Sequence, residues 1–266
     1  MPKSLPFWAM NSVWWTRGLL ADPLFYLVCI PAVLLYGVAK GGFGGSVSVL
    51  AVPLMALLMS PTQAAAILLP ILLVMDAVVV KTYWGRYDRH ALVLMLPGAL
   101  LGILIGYLVA DQMNDDYMRI LIGLLALVFG VQSLFGWMSH SSHSHNRISA
   151  GFFGALAGFT SFSIHAGGPP FQMYLMPKRL APLLFAGTSG IFFAVVNVVK
   201  VAPYYALGQF SSENLLYSLI LVPLAPVGVW VGHLLVKRSE PATYYGIISV
   251  VLVMVGLKLL WEGFGF

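Results

Sequence analysis

The chain has 266 residues, of which 60% are hydrophobic and 9% charged, whereas about a quarter of the residues in an ordinary soluble domain are charged. Its net charge of +5 comes from scattered basic residues and does not indicate a nucleic-acid partner. This composition excludes an ordinary soluble domain and predicts an integral membrane protein embedded in the lipid bilayer.

Apolar segments recur along the chain without the period-two alternation of barrel strands, so each is predicted to be a helix. Several reach the roughly 20 residues that a helix needs to cross a bilayer. Residues 1–23, which contain three tryptophans, precede them as an external or interfacial segment. In chain order the segments are 24–39, 47–59, 64–80, 91–110, 117–137, 149–164, 186–201, 215–236 and 244–260.

One half of the sequence repeats the other at a shift of 126 positions, where structure-breaking residues coincide. Asp76 matches Asn197 better at a shift of 121. The coinciding pairs are Gly41 with Gly167, Gly42 with Gly168, Thr62 with Thr188, Pro97 with Pro223, Gly102 with Gly228, Gly106 with Gly232 and Gly130 with Gly256.

These matches predict a first repeat at 24–137, a cytoplasmic linker at 138–147 and a second repeat at 148–266. Each repeat is expected to be a broken helical hairpin followed by three transmembrane helices. The hairpin contributes an even number of crossings, so each repeat crosses the membrane an odd number of times and the second is inverted. The fold class is therefore an all-α integral membrane protein with two inverted-topology repeats and one transport domain.

Loop charges agree with this topology, because alternation of the spans places the basic clusters on one side. That side is predicted to be the cytoplasm, with the acidic loops and both termini external. The basic residues are Lys81, Arg86, Arg89, Arg147, Lys178, Arg179, Lys237 and Arg238, and the acidic ones are Asp111, Asp115, Asp116 and Glu213.

Two glycine-rich breaks interrupt the first helix of each repeat, "KGGFGGS" at 40–46 and "SIHAGGPPFQ" at 163–172. A helix that starts inside the membrane presents unpaired N–H groups and partial positive charge, which favour an anion. Lys40 adds a formal charge at the first break. The breaks therefore predict an anion site near the midplane, although close packing of small residues is the alternative explanation of each glycine pair.

Other polar residues at membrane depth are candidates for the same site. Lys200 either binds the substrate or extends to the outer interface. Asp76 is a coupling or gating carboxylate, or it pairs with Lys40, Lys81 or Lys200. His165 binds substrate, couples protons or only packs.

Hydroxyl and amide groups complete the candidates. Thr188 and Ser189 bind anion oxygens or bond back to their own helix, and Gln172 and Ser46 cap a helix or a ligand. The linker histidines His140, His143 and His145 are expected to be solvated, and we predict no metal site and no cofactor.

The motifs "GVAKGGFGGSVSVLAVPLM" (37–55), "GFTSFSIHAGGPPFQMYLM" (158–176) and "GTSGIFFAVVNVVK" (187–200) resemble the TauE/SafE family of sulfite exporter-like permeases. The resemblance covers nearly the whole chain from about residue 24. It implies export, or in some members uptake, of small sulfur-containing anions such as sulfite, sulfonates, sulfoacetate and thiosulfate. It implicates Gly41, Gly42, Gly44, Gly45, Gly167, Gly168, Pro169 and Pro170, and supports Thr188, Asn197 and Lys200.

The residues and the resemblance together predict a secondary transporter that exports a small organosulfur or sulfur oxyanion, of the sulfite, sulfonate and sulfoacetate class, across the inner membrane by alternating access. Alternatives are proton-coupled uptake, a metal-ion permease or a channel, and a homo-oligomeric assembly is left open. No serine-hydrolase, zinc-protease or P-loop motif is present, so neither an enzyme nor an ATP-driven pump is predicted. The predicted substrate-binding residues are Lys40, Gly41, Gly42, Phe43, Gly44, Gly45, Ser46, His165, Gly167, Gly168, Pro169, Pro170, Gln172, Thr188, Ser189, Asn197 and Lys200, with Asp76 and His165 for coupling or gating.

Overall fold

The computed structural model describes residues 19–45, 48, 51–56, 58–110 and 147–264, with separate positions between 116 and 135. Every regular element in these residues is a helix, which confirms the all-α prediction. Ser46, the tryptophan-containing leader, the linker histidines and most of the predicted 117–137 helix lie outside the described residues.

Ten α-helices are named here in chain order. Short 3-10 turns at Leu19–Ala21 and Met176–Lys178 accompany them. The helices are α1 (Pro23–Gly42), α2 (Ala51–Met55), α3 (Pro61–Tyr83), α4 (Arg89–Leu108), α5 (Arg147–Ile164), α6 (Gly168–Leu175), α7 (Pro182–Ala206), α8 (Ser212–Leu221), α9 (Leu224–Arg238) and α10 (Pro241–Gly263).

Four of these helices, α1, α3, α4 and α7, are long and apolar enough to cross a membrane, and α8 with α9 makes a fifth if the bent pair is one span. Large apolar side chains on their outer faces are exposed, among them Leu27, Val93, Leu108 and Val198. Such surfaces suit contact with lipid rather than water. The fold is that of a multi-pass helical membrane protein.

The segment 215–236, predicted as one transmembrane span, is occupied by two helices. α8 ends at Leu221, α9 begins at Leu224, and their axes differ by 45°. Pro223 lies at the junction and has no N–H to donate to the preceding turn, which accounts for the interruption.

Helix starts are fixed locally by capping side chains. Asp22 accepts a hydrogen bond from Leu24 N, and Ser60 accepts one from Gln63 N. Proline follows each cap at the first helical position, where its missing N–H costs nothing. These signals place α1 and α3 one to three residues earlier than hydropathy alone predicts.

Asp88 joins three elements at the start of α4. Its Oδ1 accepts from Ala91 N at 3.0 Å, its backbone N donates to Thr188 Oγ1 at 2.8 Å, and its Oδ2 lies 3.4 Å from Lys178 Nζ. Burial raises the pKa of this carboxyl, but the Ala91 amide and Lys178 outweigh it and hold the pKa below its usual value. The carboxylate therefore stabilises the fold above its unfolded-state pKa, and this contribution is lost as the pH falls through the lowered folded-state pKa.

Asp88→Ala is expected to lower the free energy of unfolding by about 1 kcal/mol at neutral pH, the usual cost of losing an N-cap. The difference from wild type should shrink in acid, where the wild-type carboxyl is protonated. Thermal unfolding in detergent at several pH values measures both effects. Asp88→Ser keeps a capping oxygen without the charge, so it should lower the free energy of unfolding by less than Asp88→Ala does. Equal melting temperatures for Asp88→Ala and wild type at neutral pH would contradict the capping role.

Glycine faces bring the helices into backbone contact. A Cβ added to Gly41 of α1 would lie 2.2 Å from the Val229 carbonyl oxygen of α9, and one added to Gly102 of α4 would lie 2.0 Å from the Ala155 carbonyl oxygen of α5. α1 thus packs along α9 and α4 along α5, as small residues permit in membrane bundles. Larger side chains at these contacts would separate the helices.

The remaining long helices occupy the centre and one flank. α3 packs against α7 in the middle of the bundle, and the buried apolar core surrounds this contact. On the flank, the described positions Gly123 and Gly130 lie against α10. The central pair places its polar residues next to the two helix breaks.

Candidate functional site

The two breaks turn the chain in different ways. At the first, Gly44 and Gly45 have φ of 60° and 80°, a left-handed conformation that glycine adopts without strain. At the second, His165 has φ of 55° and ends α5, after which α6 starts at Gly168. Both glycine motifs are therefore breaks in helices, as the sequence predicts.

Side chains connect one break to the other across more than 120 residues of sequence. Gln172 Nε2 donates to the carbonyl oxygens of Phe43 at 3.2 Å and Gly44 at 3.1 Å. Tyr36 donates its hydroxyl to the His165 carbonyl oxygen at 3.3 Å. The breaks form a single central structure.

A small buried cavity, called here the central pocket, lies between the breaks and α7. Lys40 is its lining cation and Gly168 brings the first residue of α6 to its wall. The lining residues are Tyr36, Lys40, Gly45, Ser48, His165, Gly168, Ser189 and Phe193. A cation, a histidine and hydroxyl groups around one small space suit a compact anion.

Behind Lys40 lies a buried ion pair. Lys40 Nζ is 2.7 Å from Asp76 Oδ1, and both side chains are at most 5% exposed. The second carboxylate oxygen of Asp76 accepts from Asn197 Nδ2 at 2.7 Å. Asp76 therefore joins α1, α3 and α7, and of the three lysine partners left open by the sequence it contacts Lys40.

A second lysine lies behind His165. Lys200 is fully buried, and its Nζ contacts Ser161 O at 2.9 Å, Ser161 Oγ at 3.0 Å and His165 Nδ1 at 2.8 Å. His165 Nε2 lies 2.9 Å from Ala65 O, which can only accept, so Nε2 carries the proton. With Lys200 protonated, Nδ1 accepts from it and the imidazole is neutral. Lys200 does not extend to the outer interface.

The start of α6 offers fewer N–H donors to an anion than the sequence predicts. No side chain caps it at Gly167, but Pro169 and Pro170 follow Gly168, so only one of its first three residues has an N–H. The short helix that follows the first break, α2, has five residues and begins at Ala51. The charge of the Lys40 side chain therefore contributes more to an anion site than the two helix starts do.

The structure brings most of the predicted site residues together, but not all. Lys40, Gly45, His165, Gly168 and Ser189 line the central pocket. Next to it lie the connecting or charged residues Phe43, Gly44, Gln172, Asp76, Asn197 and Lys200.

The other predicted residues have packing environments. Gly41 and Gly42 face α9, Gly167 faces Ala157 and Phe193, and Pro169 and Pro170 are buried in α6. Thr188 donates to Leu184 O and accepts from Asp88 N, so its hydroxyl is used at the α3–α4 loop, and it is not among the pocket's lining residues.

Three lining residues were missed by sequence reasoning: Tyr36, Ser48 and Phe193. Helical spacing contained part of the signal, because Tyr36 lies one turn before Lys40 and Phe193 one turn after Ser189. Ser48 bonds to Gly45 O and carries no comparable pattern.

A larger cavity lies at the opposite end of α3 and α7 from the basic loops. His165 separates it from the central pocket, because its ring lines the pocket and its Nε2 bonds to Ala65 in the cavity wall. The cavity is lined by Thr62, Ala65, Ala110, Phe162, Ser163, Tyr204, Leu207 and Gln209. We call it the second cavity.

Broken helices around a buried charged pocket in a membrane bundle define the class of membrane transporters. The family model "Sulfite exporter TauE/SafE" matches residues 29–259, and the chain belongs to this family of membrane transporters. The resemblance seen in the sequence is thus confirmed.

One curated relative is 24% identical over 183 residues, which is 63% of this chain and 72% of the relative. It is the "Probable inner membrane transporter protein TsaS" of Comamonas testosteroni. No solved structure gives a significant match.

Proposed function

We propose that the protein is a secondary transporter that moves a small organosulfur or sulfur oxyanion, of the sulfite, sulfonate and sulfoacetate class, across the inner membrane by alternating access. The observation that carries this proposal is the central pocket, a buried space between two helix breaks with Lys40 in its wall. The family match supports a sulfur-containing anion.

Two inverted repeats are part of the proposal. The order of elements supports them, since each half has a broken helical hairpin and then longer helices. Packing supports them too, because α1 of the first half lies on α9 of the second, and α5 of the second lies on α4 of the first.

Equivalent hydrogen bonds add side-chain support for the repeats. Tyr83 donates its hydroxyl to Gly41 O, and Tyr204 donates its hydroxyl to Phe162 O. The two bonds are related by a shift of 121 positions, the shift that also matches Asp76 with Asn197, whereas at the shift of 126 Gly41 matches Gly167. Asp76 and Asn197, which correspond in the two halves, are hydrogen-bonded to each other on the central helices.

We assign the end of the bundle at Tyr83 to the cytoplasm. Lys178 pairs with Asp88 there, so the predicted basic loops of both halves meet at one end. Gln63 bonds to Asn214 at the other end, where the acidic loops are predicted. The basic end faces the cytoplasm by the positive-inside rule, and both termini are external.

Export is the direction we propose. A monovalent anion leaving a negative-inside cell gains about 2.3 kcal/mol per 100 mV, so no coupling ion is required. Proton-coupled uptake is the second candidate, and the buried Asp76 carboxylate favours it, since protonation would release Lys40.

Flux into proteoliposomes tests the function. The panel is sulfite, isethionate, sulfoacetate, taurine, thiosulfate and sulfate, with imposed voltage and pH gradients. We expect saturable, voltage-driven anion flux without a pH gradient, whereas strict dependence on a pH gradient would favour the second candidate. Transport of cations but none of these anions would refute the proposal.

Alternating access predicts opposite effects for Tyr204→Phe and Tyr83→Phe. We take the bond from Tyr204 to Phe162 O as the gate at the acidic end of the bundle and the bond from Tyr83 to Gly41 O as the gate at the basic end. Tyr83→Phe also removes the contact between the Tyr83 hydroxyl and His233 Nδ1 at 3.0 Å. One such hydrogen bond is worth about 1 kcal/mol, or roughly a fivefold change in the population of open states. A Ser189→Cys reporter in the central pocket, with native Cys29 buried, measures access by an impermeant thiol reagent added outside. The reporter cysteine should react faster with the reagent when Tyr204→Phe is added, and more slowly when Tyr83→Phe is added. A change of the labelling rate in the same direction for both variants would contradict the assignment of the two gates.

A further inference from the structure

Three formally charged side chains are no more than 5% exposed among the described residues. They are Lys40, Asp76 and Lys200, which are 4%, 3% and 0% exposed. His165 beside them is the neutral tautomer described above. With both lysines protonated, this buried group carries two positive charges and one negative charge.

The two lysines differ in their partners. Lys40 is paired with Asp76, whose other oxygen is held by Asn197. Within the described part of the chain, Lys200 contacts neutral acceptors, the Ser161 backbone and hydroxyl oxygens and His165 Nδ1, and no carboxylate. In this protonation state the excess positive charge belongs to Lys200, and an anion bound in the central pocket, on the other side of His165, would compensate it.

We infer that Asp76 sets the valence of the transported anion, because it cancels one of two buried lysine charges and leaves the central pocket matched to a single negative charge. This inference rests on the proposed function and narrows it to monovalent anions. Asp76 is not among the pocket-lining residues, so it is a positioning residue that acts through Lys40.

The reason is electrostatic. A monovalent anion brings the buried group to neutrality, whereas a divalent one leaves an uncompensated negative charge in a medium of low dielectric constant. Uncompensated buried charge is costly, so charge number, more than shape, should separate otherwise similar sulfonates.

Isethionate and sulfoacetate form a matched pair for the test. Both are two-carbon sulfonates, but isethionate has a neutral hydroxyl where sulfoacetate has a carboxylate, which is ionised at pH 8. Initial rates in proteoliposomes at pH 8 give kcat/KM for each. Wild type should favour isethionate by at least tenfold.

Asp76→Asn adds one unit to the buried positive charge. The preference for isethionate should fall at least tenfold, with sulfoacetate gaining relative to isethionate, whereas a purely structural role would slow both substrates alike. Asn197→Ala is the matched control, since it removes the other contact of Asp76 without changing charge. Its preference should stay near that of wild type, even if its rates fall.

The outcomes separate this inference from the proposed function. If wild type transports neither anion nor any other on the panel, the proposed function fails. If wild type transports both but shows no preference for isethionate, or if folded Asp76→Asn keeps the wild-type preference, the inference is overturned. The wild-type preference remains decisive if Asp76→Asn does not fold.

Discussion

Replacing Lys40 with methionine is expected to reduce anion flux by at least about 100-fold and to destabilise the protein. The central pocket loses the cation in its wall, and Asp76 becomes a buried carboxylate without its partner. Removing one member of a buried ion pair typically costs about 3–5 kcal/mol. Flux in proteoliposomes and thermal unfolding in detergent measure the two losses separately.

The double variant Lys40→Met/Asp76→Asn is the control for folding. It removes the unpaired carboxylate, so melting should return close to that of wild type while flux stays low. Wild-type flux from either variant, at equal protein in the vesicles, would show that Lys40 does not contact the anion.

Lys200→Met is expected to weaken anion binding without the same loss of stability. Lys200 has no described carboxylate partner, so its removal leaves neutral acceptors rather than an unpaired charge. At an effective dielectric constant of about 20, a unit charge several ångströms from the anion contributes roughly 2 kcal/mol, or about 30-fold in affinity. The loss should appear mainly as a higher KM, with melting within a few degrees of wild type.

Lys200→Arg keeps the charge and serves as the matched variant. It should retain more affinity than Lys200→Met, even though its planar group fits the Ser161 and His165 acceptors less well. An unchanged KM in Lys200→Met would show that the charge of Lys200 does not stabilise the bound anion.

Hydropathy predicts most of the long helices of the described residues, because the apolar runs at 24–39, 64–80, 91–110, 149–164, 186–201 and 244–260 each correspond to one helix. It does not predict where helices are interrupted. Pro97 and Pro223 occupy matching positions in the two halves, yet Pro97 lies inside the continuous helix α4 and Pro223 between two helices. Tertiary packing decides whether a helix absorbs a proline or divides at it. A single sequence does not contain that information.

The site shows the same limit. Glycine, lysine and histidine at the two breaks were predictable, since a charge and helix breakers are costly in a membrane without a function. The partners were only narrowed, because the sequence offered three lysines for Asp76, and the contact of Lys200 with His165 depends on the three-dimensional fold. Thr188 illustrates the converse, since it belongs to a predicted motif but its hydroxyl bonds to Leu184 O of its own helix and to Asp88 N of the α3–α4 loop.

The reciprocal packing of α1 on α9 and of α4 on α5 constrains how the protein is made. The N-terminal half leaves the ribosome first. At that stage the glycine faces of α1 and α4 lack the helices α9 and α5 that pack against them. Their partners arrive only after residue 147 has been synthesised. Biogenesis therefore includes an interval in which a half-inserted intermediate has open grooves that lipids or an insertase must occupy, and the two halves, produced as separate polypeptides in one cell, should find each other in the bilayer.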